Sequence, residues 1–204
     1  MQSRCQVFEF KKPTRAVLAA MVEGVAKKEG YTLNPDAAEL IAMLADGSYR
    51  DALSVLQKVF AGADGKTLTR ESVEAATGAP RKEQVHALMA ALAAGERGAA
   101  LAAIETAAKS GADMKLFLEL VLESLRTTLL LRYAPELRAS LESDLGADEF
   151  SALEKITTHE NVGPRRSYIT HATMLAFLTA ADRIRYAPIP ALPLELAVLE
   201  LFPE

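Results

Sequence analysis

Cysteine is almost missing from this chain of 204 residues: Cys5 stands alone. One thiol excludes an internal disulfide framework and a zinc site built from several cysteines of one chain. Tryptophan is absent and aromatic residues make up only 6%, which, with Ala and Leu dominant, favours helices packed on helices. No apolar run reaches the roughly 18 residues of a membrane span, and the N-terminus carries no signal-peptide pattern. The expectation is a soluble protein of the reducing cytoplasm. A basic excess is missing too. Lys and Arg number 23 against 27 Asp and Glu, a formal charge of -4, which argues against a free-standing nucleic-acid binder. The phosphate-loop pattern G-x-x-x-x-G-K-[ST] does not occur.

What is present is helix-forming material. Half the residues are apolar and a quarter are charged, with Ala and Leu dominant, the two best helix formers among apolar side chains. The length allows one large domain or two small ones. An all-α protein is expected, with one exception at the start. Cys5-Gln6-Val7-Phe8-Glu9-Phe10 is short, aromatic and β-branched, and reads as a strand. No second convincing strand follows. A lone strand cannot satisfy its backbone groups, so residues 1–10 read as an orphan strand and the chain as part of something longer.

Helix punctuation then divides the chain. A helix opens at Pro13 or Thr14 and runs to about Glu29, with Leu18, Met21, Val22 and Val25 on one face. Gly30 stops it. A second starts near Pro35, turns Ala37, Leu40, Ile41 and Leu44 inward, and ends at Gly47. Ser48 caps a third, whose buried stripe is Ala52, Leu53, Leu56, Val59 and Phe60. Thr69 starts a short fourth that ends at Gly78. These four make a small bundle. Ala79-Pro80-Arg81 reads as a joint. Beyond it come a stripe of Val85, Leu88, Met89 and Leu92, an alanine-rich helix from Gly95 to Ser110, and a helix capped by Asp113 that is apolar on more than one face through Leu129–Leu131. Such a helix is buried or lies at a subunit contact. Short segments near Pro135–Ser143 and Ala147–Thr158 follow, then a turn at Asn161-Val162-Gly163-Pro164. A long helix is expected over Arg165 to Arg185 and a last apolar one over Leu194 to Phe202.

Candidate chemistry is sparse. His86, His159 and His171 lie far apart without ligand-like neighbours three or four residues away, and read as core or surface histidines. Asp144, Asp148 and Glu149 read as a solvated loop face, and Cys5 as a small packed residue. No Ser-His-Asp or Cys-His arrangement stands out, and no metal site is expected. Two arginines differ. Arg4 precedes the strand in Ser3-Arg4-Cys5, and Arg50 sits in the first turn of the third helix, in Gly47-Ser48-Tyr49-Arg50-Asp51-Ala52-Leu53. A helix N-terminus presents unpaired N–H groups and positive potential, and so favours anions. A guanidinium there reaches a phosphate with a fixed fork of donors. The plain alternative is an ion pair with Asp51 or another nearby carboxylate.

These motifs resemble those of bacterial clamp-loader subunits. Ser3-Arg4-Cys5 through Phe10 is similar to the Ser-Arg-Cys motif and last strand of their ATPase core. Gly47-Ser48-Tyr49-Arg50-Asp51-Ala52-Leu53 is similar to their second sensor motif, Gly-Ser-Leu-Arg-Asp-Ala-Leu, with Tyr49 in place of Leu. Tyr186-Ala187-Pro188 through Pro193-Leu194-Glu195-Leu196-Ala197 resembles the closing helix of the gamma/tau family of DNA polymerase III. The resemblance implies three parts: the last strand of a truncated nucleotide-binding domain (1–10), an AAA+ lid (11–79) and a helical collar for oligomerisation (80–204).

It further implies a role in loading the sliding clamp onto primed DNA during replication. Arg4 then corresponds to the arginine finger that reaches a neighbouring subunit's nucleotide, a device worth about 10³–10⁵ in rate. Arg50 corresponds to the sensor on the γ-phosphate of its own subunit. ATP and Mg²⁺ belong to the full-length parent, a DNA-dependent ATPase, and no cofactor is expected on this stretch, which lacks the phosphate loop. The implied partners are gamma/tau, delta and delta-prime, held through the collar by residues 116–131 and 192–202. Sliding clamp and primed DNA are reached through the missing domain, and no membrane is involved. The competing expectation is a non-ATPase helical scaffold or adaptor that kept a similar bundle.

Overall fold

A computed structural model describes residues 11–145, 147–158 and 169–202. The strand expected over residues 5–10 lies outside them. The chain divides into two compact units, Met1–Thr77 and Gly78–Glu204. The described residues form eleven α-helices and one two-stranded sheet of two residues per strand, so the all-α expectation holds.

The first unit contains α1 (Arg15–Lys28), β1 (Thr32–Leu33), α2 (Pro35–Leu44), α3 (Tyr49–Ala61), β2 (Thr67–Leu68) and α4 (Arg70–Thr77). Its helices begin where the sequence supplies caps. The Thr14 side chain accepts from Val17 N, and Ser48 does the same for Asp51 N. Each satisfies one of the four unpaired N–H groups of a helix start. Leu18, Val22, Leu40, Ile41, Leu56, Leu68 and Val73 form the core and are essentially free of solvent.

Two expectations change here. The described residues do contain strands: β1 and β2 pair in parallel, Thr32 beside Thr67 and Leu33 beside Leu68. Two residues carry no periodic signal. The pairing ties the loops after α1 and α3, with Thr32 N donating to Lys66 O and Asn34 N to Leu68 O. Leu53, expected on the buried stripe of α3, is 41% exposed, and Tyr49 one turn before it is 49% exposed. The buried stripe of α3 is the narrower set Ala52, Leu56 and Val59, while Phe60 is half-buried and stacks on Tyr31 with ring centroids 4.5 Å apart.

The second unit holds α5 (Lys82–Ala94), α6 (Arg97–Lys109), α7 (Met114–Tyr133), a 3-10 turn at Pro135–Leu137, α8 (Arg138–Leu145), α9 (Ala147–Thr158), α10 (His171–Ile184) and α11 (Leu192–Leu201). The 20-residue α7 is the central element and packs against α5, α6, α9 and α10. Asp113 caps it, accepting from Lys115 N and Leu116 N. Phe117, Leu118, Val121 and Leu125 lie inside one core with Phe177, Leu194 and Val198. Polar residues on α7 are buried as well. Ser124 and Thr128 donate to carbonyls one turn back, Leu120 O and Ser124 O, which satisfies hydroxyls that would otherwise be costly inside.

The long helix expected from Arg165 begins later. Residues 165–168 lie outside the described residues, and Thr170 caps α10, accepting from Ala172 N. Ile169 is fully buried, and its carbonyl accepts from Arg132 Nη1 at 3.1 Å. Asp144 belongs to α8, and Asp148 and Glu149 to α9, so the expected acidic loop has helical backbone.

Two outcomes test this packing. Phe117→Ala removes the largest fully buried side chain of α7, and should cost about 3–5 kcal/mol. Hydrogen exchange along α7 and α10 reads it, and a loss below about 1 kcal/mol contradicts the central place of α7. In the first unit, Glu71 opens α4. A hydrogen bond from the Thr69 side chain, then one from its own backbone N–H, hold its carboxyl below the ordinary value of 4.5; desolvation opposes them, and the Arg70 charge adds the least. A depressed native pKa adds stability above the unfolded value, and that stability is lost as the pH falls through the native one. Unfolding of the first unit in Glu71→Gln should therefore depend less on pH below about 4.5 than in the parent. Identical acid profiles contradict the contribution.

Candidate functional site

The left-handed turn before α3 builds the site. Asp46 has φ 41° and Gly47 φ 77°, and Asp46 is the one non-glycine residue with positive φ among the described residues. Ser48 N closes the turn on Ala45 O at 2.9 Å, and the Ser48 hydroxyl then caps α3. A side chain at position 47 would meet both a strained backbone and a neighbour: a Cβ there would lie 3.1 Å from Lys12 Cδ. The positive φ is what favours glycine here, since the exposed lysine side chain can yield.

Arg50 follows, in the first turn of α3. Its Nε donates to Asp51 Oδ1 at 3.3 Å, and its own carbonyl accepts from Ser54 Oγ at 2.9 Å. The ion pair is the plain alternative left open by the sequence, and it is what the structure contains. Both partners face solvent: the Arg50 side chain is 89% exposed and that of Asp51 51%. Such pairs contribute about 0–1 kcal/mol and hold a long side chain loosely. A cation at the positive end of a helix dipole does nothing for helix stability, whereas Asp51 beside it does. The placement therefore suits a second anion, and the exposed guanidinium keeps its donors available for one.

Arg4 lies outside the described residues, as do Cys5 and His159. His86 falls within α5 and is half-buried; His171 opens α10 and is exposed. The described residues contain no group of three His, Cys, Asp or Glu side chains able to hold a metal ion. No helix among them is long and apolar enough to cross a membrane.

The second unit carries a cavity of about 510 Å³ beside Lys115, Glu119, Asp182 and Arg185, and an apolar surface. The apolar stretch 116–131, expected at a subunit contact, is largely consumed by its own core, because α7 is surrounded by four helices. The outward apolar residues lie elsewhere. Leu192, Leu196 and Leu199 on α11 are 38%, 44% and 44% exposed, and Tyr186 and Ile189 before it 85% and 58%. An open groove of about 360 Å³ runs between Asp182, Tyr186, Pro188, Leu192 and Leu196. Sequence reasoning found the α11 half of this face. It missed Leu175 and Leu178 of α10, which are 59% and 46% exposed. Their signal was present: they fall off the stripe formed by Thr173, Ala176, Phe177 and Ala180.

The described residues thus form a small helical unit with an arginine at a capped helix start, and a larger helical unit. Comparison with known proteins gives the particular family. Residues 18–65 match the model for the DNA polymerase III clamp loader subunit, ATPase lid domain, and residues 68–203 match that for DNA polymerase III subunits gamma and tau domain III. The chain belongs to the gamma and tau subunit family of DNA polymerase III.

Among its relatives, DNA polymerase III subunit tau of Escherichia coli is 27% identical over 97% of this chain and 29% of its own length. The tau subunit of Salmonella typhimurium is 32% identical over 72% of this chain and 22% of its own. A replication factor C small subunit of Halobacterium salinarum is 31% identical over 52% of this chain and 32% of its own. The chain thus spans about a third or less of the length of these relatives. A solved clamp loader delta protein of Bacillus subtilis aligns with all of this chain and 60% of its own at 17% identity, with a TM-score of 0.45; an overlap that loose carries no argument.

Proposed function

We propose that this chain is the lid and collar of a clamp-loader ATPase subunit, acting in the loading of the sliding clamp onto primed DNA. The observation that carries the reading is Arg50. It stands in the unit that matches the ATPase lid, at the positive end of a capped helix, with a guanidinium tied to nothing stronger than an exposed neighbour. Its donors fit the γ-phosphate of ATP held by the nucleotide-binding domain of the parent subunit. ATP bound there supplies the phosphoryl group that is lost on hydrolysis, together with Mg²⁺ held by that domain. Arg50 binds the γ-phosphate oxygens while they are present, and α3 carries that contact into the lid. When the phosphate leaves, the lid loses one of its attachments and its orientation is released. Arg4 acts in trans, placing a positive charge where negative charge develops on a neighbouring subunit's nucleotide.

The second unit holds the ring. Leu192, Leu196, Leu199, Tyr186 and Ile189 present apolar area to the neighbouring gamma/tau, delta or delta-prime subunit, with Leu175 and Leu178 extending it. Outward apolar residues grouped about a groove, as Tyr186, Leu192 and Leu196 are, commonly mark an interaction surface. The sliding clamp and primed DNA contact the nucleotide-binding domain.

Two experiments test the reading. In the full-length subunit assembled with its partners, Arg4→Ala should lower ATP hydrolysis by about 10³-fold or more with the subunits still assembled. Unchanged hydrolysis, or none in the parent, leaves the scaffold as the better account. In the 204-residue chain, sedimentation should show self-association at high concentration, abolished by Leu196→Asp. A monomer at every concentration would move the ring contact away from α11.

A further inference from the structure

Arg50 does not set its own direction. The turn that starts α3 does, and that turn is gripped from outside by one residue, Lys12. The aliphatic stem of Lys12 lies along Gly47: a Cβ built on the glycine would be 3.1 Å from Lys12 Cδ, 3.3 Å from its Cβ and 3.4 Å from its Cγ. Its ammonium reaches Asp46 Oδ2 at 3.4 Å. Lys12 thus touches both left-handed residues, Asp46 and Gly47, and nothing but Ser48 and Tyr49 separates that turn from Arg50. These contacts span 34 residues of chain.

We propose that Lys12 is a positioning residue for Arg50, holding the Asp46–Gly47 turn so that the guanidinium projects toward the phosphate rather than folding back along α3. The inference rests on the reading of Arg50 as the γ-phosphate sensor and adds the residue that aims it. Lys12 comes eight positions after Arg4 in the sequence, so the peptide that carries the finger continues directly into the residue that steers the sensor.

The two halves of the Lys12 contact are unequal. The ion pair is exposed on both sides, 75% at Lys12 and 93% at Asp46, and such a pair is worth little in water. The stem is different. It covers backbone where a glycine leaves room, and long cationic side chains commonly act through their methylenes. The grip is therefore steric first and electrostatic second. Lys12→Met keeps the stem and loses the charge. Lys12→Ala loses both.

The test compares ATP and ADP affinity in the full-length subunit, because a contact to the γ-phosphate separates the two nucleotides and general stability does not. Arg50→Ala should remove most of the preference for ATP. Lys12→Ala should lower that preference by about fivefold at an unchanged unfolding midpoint, and Lys12→Met should leave it near the parent value. In the Arg50→Ala background, Lys12→Ala should add nothing, as expected of residues acting through one another.

Several results overturn the inference. One is an Arg50→Ala effect with no Lys12→Ala effect; another is a Lys12→Ala loss of equal size with and without Arg50, which would make Lys12 structural. Equal losses in Lys12→Ala and Lys12→Met would make the charge, not the stem, the working part. Should Lys12→Ala unfold the first unit, Asp46→Asn, which removes the charged acceptor and keeps the turn, gives the second reading: an ATP preference within about twofold of the parent supports a steric grip, and a collapse contradicts it. A parent that does not distinguish ATP from ADP, with Arg50→Ala silent, refutes the sensor reading itself, which is a separate outcome.

Discussion

The left-handed turn at Asp46–Gly47 is the constraint from which the functional reading of the first unit follows. Backbone at positive φ is costly for any residue with a Cβ, yet Asp46 adopts it at 41° and Gly47 follows at 77°. The reversal it makes is abrupt enough to end α2 at Leu44 and begin α3 at Tyr49. Ser48 converts the end of the turn into a helix cap within one residue. Arg50 is consequently carried on the first turn of α3, beside N–H groups that no intrahelical carbonyl can accept. The positive potential there repels the arginine and attracts anions. A phosphate at that point would satisfy the helix start and the guanidinium together.

The second unit solves a different problem. Its longest helix, α7, is apolar on several faces, and the structure surrounds it with α5, α6, α9 and α10. With the middle of α7 buried, the outer sides of α10 and α11 carry most of the apolar residues that still meet water, with Tyr133 and Leu137 beyond them. The hydroxyls of Ser124 and Thr128 show how complete that burial is. They turn back onto carbonyls of their own helix because no water reaches them. The leucines of α11 divide in the same way. Leu194 is fully buried, whereas Leu192, Leu196 and Leu199 point outward. At ten residues α11 is too short to cross a membrane.

Much of the fold was legible because the helices are punctuated by residues with one local job. Thr14, Ser48 and Asp113 cap as their side chains dictate, and Gly30, Gly47, Gly95 and Gly111 take the positive φ that ends or separates helices. Features decided by tertiary contact were not legible. The two-residue strands at Thr32 and Thr67 exist only because two loops meet. The hydrogen bond from Arg132 to the Ile169 carbonyl, just before the cap of α10, joins residues 37 apart. Leu53 looked buried by period, but α3 buries a narrower stripe. At the site, the sequence marked Arg50 and left phosphate and Asp51 as rival partners. Geometry supplied the exposure of that ion pair and the contact of Lys12, which no motif indicates.

The most direct measurement is the structure of the full-length subunit with a non-hydrolysable ATP analogue bound. The account predicts that Arg50 has left Asp51 and lies within hydrogen-bond distance of a γ-phosphate oxygen, about 2.7–3.2 Å, with Lys12 still over Gly47. A nucleotide bound with Arg50 still paired to Asp51 and turned to solvent would contradict it.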